Sequence, residues 1–441
     1  MTTPPRDPTK SKRSTGGRAS TVADVRGGLK LVVDGTRHIT GLVEALHGQI
    51  LRVAPPLRLR SSVEQPGPLS ADALLARDQD GLPRTRGLTG LIYRTIQGST
   101  RLVGDGLDGL LAPFDAALAG PHEAGPRDSA RQVGPVAPKR DALVAALNGV
   151  LGDHLLRSGN PLALPMQLRQ GGQRLVPASL GPAAPGRILL LVHGLCMSDG
   201  GWQRNGHDHG ALLAKSLGAA PVYAWYNSGQ HISDNGRDLA EALQQLLQDW
   251  PVPVEDLLIV GHSMGGLVAR SALHQAAAVG QTWPQRLRKL VFLGTPHHGA
   301  PLERAGNWLH RVMDMSPYVA PFTRLSRLRS EGITDLRHGN LLQSDWQGAS
   351  RFDHRDLRTP VPVPAGVQAY AIASTAGGAG SVGSMAGDGL VMVDSALGKH
   401  KRSALDLGLD KSHTWVGHGI HHLDLLSDPA VYRRLLGWLQ P

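Results

Sequence analysis

Between residues 187 and 300, short and wholly apolar runs alternate with longer segments of helical period. This alternation limits the fold more than any other feature of the chain. The runs are "RILLLVHGL", "PVYAWYNSG", "DLLIVGHSMG" and "KLVFLGTPHHG", each closing on a turn that carries glycine. The helical segments between them are "DHGALLAKSLG", "NGRDLAEALQQLLQDW" and "MGGLVARSALHQAAAVG". A strand that is apolar on both faces must be covered on both faces, which is the situation of a parallel sheet between layers of helices. A further run, "VQAYAIAST", extends the same rhythm downstream. Reactive groups in such sheets stand at the carboxyl ends of strands, and the motifs described below fall at such ends.

The 441 residues leave room for one large domain with additions, or for two domains. Residues 1–21 read as a basic, disordered tail with no apolar core of a secretory signal. Residues 22–160 read as helices joined by proline-rich linkers, and residues 180–441 as the sheet-containing domain. In the first helix, Val22, Val25, Leu29, Val32, Ile39, Val43, Leu46 and Ile50 keep to one stripe. A second candidate spans 85–114 and a third lies in "RDALVAALNGVLGDHLL". Their apolar stripes demand burial, against the sheet domain or a second subunit. Residues 1–180 hold 23 of the 46 Lys/Arg but only 15 of the 36 Asp/Glu. That basic excess makes peripheral contact with anionic lipid the runner-up for this region. The arginines are dispersed without aromatic interleaving or a nucleic-acid-binding module, so nucleic acid is not an expected partner. No apolar run is long enough to span a bilayer, and the single cysteine, Cys196, excludes an internal disulfide. The expected setting is cytoplasmic.

Within "LLIVGHSMGGLVAR", Ser263 follows an apolar strand and opens a helical pattern, the strand–turn–helix context of a nucleophile elbow. Gly261 and Gly265 flank a turn where side chains would collide with the neighbouring strand and helix, and Gly266 assists close packing. The competing reading is an ordinary helix-capping serine. A nucleophilic serine needs a base, and the base an orienting acid, in the chain order serine, acid, histidine for this architecture. Downstream, Asp388 lies between two glycines after "VQAYAIAST", with Asp394 as the rival acid. His413, His418, His421 and His422 compete for the base, just ahead of a final amphipathic helix. The turn after "LLLV" would present the Leu195 N–H beside that of Met264 as an oxyanion hole. His193 reads as structural because it precedes the serine, and Cys196 as a small buried apolar residue.

The stretches "LVHGL", "VGHSMGGLVAR", "LGTPHHGAPL", "GDGLV" and "HHLDLL", in that order, resemble the α/β-hydrolase superfamily. The resemblance is to its lipase-like branch, which includes GPI inositol-deacylase-like domains and bacterial triacylglycerol lipases, and it covers residues 187 to about 440. It implies an α/β-hydrolase fold with a mostly parallel central sheet, helices on both faces and a helical cap, beside the N-terminal helical extension. It further implies a serine ester hydrolase with Ser263 as nucleophile, Asp388 as the acid and His422, which precedes "LD", as the base. No cofactor is implied, and the implied partner is an ester substrate, lipid-like esters included.

The cap is expected over about 300–345, where "LERAGNWLHRVMDMSPYVAPFTRLSRL" interrupts the strand–helix rhythm. His297 and His298 either line the pocket or form a structural turn. The 20 histidines include no metal-binding spacing, so a catalytic metal is the lesser reading. Two further functions fit the same sequence: an acyltransferase or thioesterase using the same three residues, and a non-catalytic scaffold with a hydrolase fold.

Overall fold

A computed structural model describes residues 27, 30, 75–77, 83–85, 136–300, 330–348, 356–378 and 387–440. The tail over 1–21, the helix expected over 22–50 apart from the helical Gly27 and Lys30, the helix expected over 85–114 apart from Thr85, and most of the expected cap, 301–329, lie outside these residues. The chain divides into two compact units. One holds residues 1–129 with 160–162, and its described strands are an antiparallel pair, Leu75–Arg77 with Pro83–Thr85. The other holds residues 130–159 and 163–441. It begins with helix α1 (Val136–Arg157) and so takes in structure that precedes residue 180.

The eight strands of its sheet are β1 (Gln167–Gln170), β2 (Gln173–Arg174), β3 (Arg187–Val192), β4 (Ala220–Trp225), β5 (Asp256–His262), β6 (Leu287–Leu293), β7 (Gln368–Thr375) and β8 (Thr414–His418). They are arranged β8-β7-β6-β5-β3-β4-β1-β2. All neighbours are parallel except the edge hairpin, in which β1 runs antiparallel to β4 and to β2. The connecting helices are α2 (His209–Leu217), α3 (Ile232–Asp249) and α4 (Met264–Ala278), followed by short α5 (Glu331–Asp335) and α6 (Val393–Ala396) and the closing α7 (Pro429–Leu439). This is the α/β-hydrolase fold, mostly parallel and covered on both faces.

Burial explains why the strands read as unbroken apolar runs. Leu189, Leu191, Leu258, Val260, Val291 and Leu293 face a core shared with Leu213 and Leu217 of α2 and Val431, Leu435 and Leu439 of α7. The alternate positions, Ile188, Leu190, Ile259, Leu290 and Phe292, are equally inaccessible, on the face where α3 and α4 pack. With a period of two, each strand therefore needs apolar residues at every position.

The topology fixes where a site can form. From β3 the chain passes through α2 to β4 on one side, then through α3 to β5 on the other. That reversal is a topological switch point, and the crevice at the carboxyl ends of its strands is the place for a ligand. Val192 of β3 pairs with Gly261 of β5, and His262 of β5 with Leu293 of β6. The turns after these three strands therefore stand side by side.

Candidate active site

Ser263 leaves β5 with φ 53° and ψ −125°, a backbone conformation that L-residues other than glycine seldom adopt. It occupies the N-cap position of α4, yet its side chain makes no capping hydrogen bond. The backbone around it is held instead: the Ser263 N–H donates to the Leu293 carbonyl at 2.8 Å, and the Gly266 N–H donates to the Ser263 carbonyl at 3.1 Å. Such a turn survives only where the flanking residues lack side chains. A Cβ on Gly261 would lie 2.6 Å from Gly266 Cα, and one on Gly265 would fall on the carbonyl oxygens of Val192 and His193. A collision with backbone has no rotamer to relieve it.

Asp388 and His422 meet beyond β7 and β8. The Ala376 N–H donates to the Gly387 carbonyl at 3.0 Å, which brings Asp388 back to the end of β7. Gly387 and Gly389, at φ 74° and 96°, form the turn that carries it. Its Oδ1 accepts the N–H groups of Leu390 (2.9 Å) and Val391 (2.8 Å), and its Oδ2 lies 2.7 Å from His422 Nδ1. Both side chains are buried, at 2% and 3% residue exposure. An ionised carboxylate only accepts, so Nδ1 carries the proton and Nε2 keeps its lone pair. The adjacent His421 is exposed, as is Asp394, in the first turn of α6. His418 Nδ1 lies 3.0 Å from Thr375 Oγ1, and the His413 ring packs 4.3 Å from that of Tyr370.

Ser263 and His422 line one cavity. Its other walls include Leu195, Met197, Pro296, Leu390, Val391 and Leu423. Leu195 follows the turn after β3, and Met264 is the first residue of α4, whose N–H has no acceptor within the helix. The opening of α4 adds its positive dipole end beside Ser263.

One residue of this site went unread in the sequence. His262 is buried, lines the same cavity, and its Nε2–H donates to the His422 carbonyl at 3.2 Å. Burial, then the nearby His422, hold its pKa well below the usual imidazole range, so it is a neutral tether between the turn at Ser263 and the loop carrying His422. The place of His262 beside the elbow serine was its only sequence signal.

His193 is fully buried and stacked on Tyr226 at 4.4 Å, with burial lowering its pKa to about 4. Cys196 is buried as well, its thiol pushed up to about 12 by desolvation. Pro296 borders the Ser263 cavity, whereas His297 and His298 line a separate recess. Among the described residues no group of three or more His, Cys, Asp or Glu is disposed to hold a metal ion, and no helix is long and apolar enough to cross a membrane.

A family model described as a domain of unknown function (DUF7379) matches residues 164–328. A search of the curated proteins finds no match. Among solved structures, the chain is similar to the mature form of the Bacillus licheniformis lipase BlEst2, at 19% identity over 59% of this chain and 94% of that one, with a TM-score of 0.39. It is similar to the Pyrococcus furiosus esterase Pf2001 at 15% identity, over 58% and 80% of the two chains, with a TM-score of 0.36. For the phospholipase PlaB of Legionella pneumophila the identity is 14%, over 48% and 45%, with a TM-score of 0.32.

Proposed function

We propose that the chain is a serine hydrolase of carboxylic esters with acyl or lipid-like substituents. The observation that carries this reading is the pairing of Asp388 Oδ2 with His422 Nδ1 at 2.7 Å, at the wall of a cavity that Ser263 also lines from a strained elbow. Ser263 Oγ attacks the ester carbonyl carbon while its proton passes to His422 Nε2. Asp388 holds the imidazole in that tautomer and stabilises the imidazolium that forms. The N–H groups of Leu195 and Met264 receive the oxyanion of the tetrahedral intermediate. Collapse expels the alcohol, which takes the proton from His422 and leaves an acyl-enzyme on Ser263. Water, deprotonated by His422, then releases the acid and restores the serine.

The cavity walls support the substrate class. Leu195, Met197, Leu390, Val391 and Leu423 offer an acyl chain apolar surface beside Ser263. The "GDGLV" and "HHLDLL" stretches support a place in the lipase-like branch, and a single buried cysteine goes with a cytoplasmic setting. Ser263→Ala is the test, on a series of p-nitrophenyl esters of rising chain length. The variant should fold normally and lose about 10³-fold or more in kcat. Near-normal turnover in the folded variant overturns the proposal.

A further inference from the structure

A second group of polar residues sits beside the proposed catalytic cavity and takes no part in that mechanism. Helix α4 carries Arg270 into the interior, where the residue is 7% exposed. No carboxylate among the described residues pairs with it: one Nη reaches His297 Nδ1 at 3.2 Å, and the other donates to the Val361 carbonyl. A second buried guanidinium, Arg358, is matched by Asp356, with Nε–Oδ1 and Nη2–Oδ2 both at 2.8 Å, and donates to the His297 carbonyl at 2.8 Å. Burial, with the charge of Arg358 added, lowers the Arg270 pKa to about 9. Arg270 thus remains a cation without a counter-charge.

His297 supplies the independent observation. A guanidinium can only donate, so His297 Nδ1 is the acceptor in its contact with Arg270, and Nε2 carries the ring proton. The residue is 1% exposed, and this Nε2–H has no acceptor among the described residues. A buried donor left without an acceptor is uncommon in folded proteins and destabilising. Arg270, His297, His298 and Arg358 line one recess that opens to solvent. Asp406 also lines the recess, with both carboxylate oxygens taken up by the N–H groups of His400 (2.9 Å) and Gly408 (2.8 Å).

We propose that this recess is an anion site for a phosphate group, with Arg270 supplying the charge and His297 Nε2 a neutral donor. Arginine suits this ligand because its planar fork matches phosphate oxygens. The phosphate comes either from free inorganic phosphate or from the headgroup of the ester substrate. The second source rests on the proposed hydrolase function. It is motivated by Pro296 and His297, consecutive residues that border the catalytic cavity and the recess respectively.

Isothermal titration of the full chain with inorganic phosphate, at fixed ionic strength and pH 7.5, tests the site without reference to catalysis. One saturable site per chain is expected, weakened about 10-fold or more in Arg270→Met, the size of one lost charge-assisted hydrogen bond. Absence of saturable binding, or binding unchanged in the variant, overturns the proposal. Should Arg270→Met fail to fold, His297→Phe removes the Nε2 donor and carries the same comparison. Kinetics then separate the sources. Inorganic phosphate that raises KM for a phosphate-bearing ester, but not for p-nitrophenyl butyrate, identifies the headgroup. Binding without effect on either KM identifies free phosphate. Loss of all ester turnover with binding intact counts against the hydrolase reading and leaves the anion site standing.

Discussion

Replacing Asp388 by asparagine alters one atom, and the hydrogen bonds around it dictate the outcome. Oδ1 accepts two backbone N–H groups, from Leu390 at 2.9 Å and Val391 at 2.8 Å, so an amide nitrogen cannot stand there. The asparagine must keep its carbonyl oxygen at that position and turn its NH₂ toward His422 Nδ1, 2.7 Å from the present Oδ2. An NH₂ only donates, so Nδ1 becomes the acceptor and the ring proton moves to Nε2. His422 then holds a proton where, in the proposed mechanism, it receives one from Ser263. A wrong tautomer in an otherwise intact serine triad lowers kcat by about 10⁴-fold, equivalent to about 5.5 kcal/mol in the barrier. Stability should change little, because every hydrogen bond keeps a partner. Asp388→Ala lacks this selectivity: it strands two backbone donors and should cost about 1–3 kcal/mol of stability as well. The assay is kcat on a p-nitrophenyl ester, with thermal unfolding of both variants measured in parallel. A folded Asp388→Asn enzyme within about 10-fold of native turnover would refute the tautomer argument.

His422→Ala should fall about as far as Ser263→Ala, because residues acting as a unit are not additive, whereas the exposed His421→Ala should lose far less; the reverse ranking on the same ester moves the base to His421. Gly265→Ala drives a Cβ into the carbonyls of Val192 and His193 and should destabilise by about 1–3 kcal/mol or more in urea unfolding; an unchanged midpoint contradicts the packing described. Stability should also decline as pH falls from about 6.5 toward 4. Burial holds His193 and His209 at about 4 when folded, so the unfolded chain binds more protons in that window. Each group then withdraws about 1.4 kcal/mol per pH unit. His262, His297 and His298 are lowered too and act in the same sense; His231, raised by the hydrogen bond and charge of Asp335, acts only above about pH 6.5, and the carboxyls of Glu331 and Asp335, raised by burial, oppose the trend at the acid end. A flat profile between pH 6.5 and 4.5 in denaturant titrations would contradict this balance.

The central sheet was legible because its inner strands are buried on both faces, which leaves no polar position to blur the pattern. Strand β5 and the strained turn at Ser263 were legible together, since such a turn between a buried strand and a buried helix admits glycine at 261 and 265. The edge hairpin β1–β2 was not read. Its residues, "QLRQGGQR", are mostly polar because an edge strand has less to bury. The one usable signal was Gly171-Gly172, both at positive φ, the two-residue turn that joins antiparallel strands. The proposed acid and base were legible only as a short set of rivals. Which of two adjacent histidines turns inward depends on where the chain returns after β8, and which aspartate reaches it depends on the hydrogen bond from Ala376 to Gly387. Both are long-range facts that local spacing does not carry. Nothing in the helical segment that carries Arg270 marks it out, and the lack of a paired carboxylate among the described residues emerges only once the neighbouring elements are in place.

All of the proposed chemistry turns on Ser263 as the nucleophile. Intact-protein mass spectrometry after exposure to a fluorophosphonate, followed by peptide mapping, is the decisive measurement. One adduct per chain is expected, located on Ser263, absent from Ser263→Ala and formed far more slowly in His422→Ala. An adduct on any other residue, or none on a folded chain that still hydrolyses esters, would contradict that role.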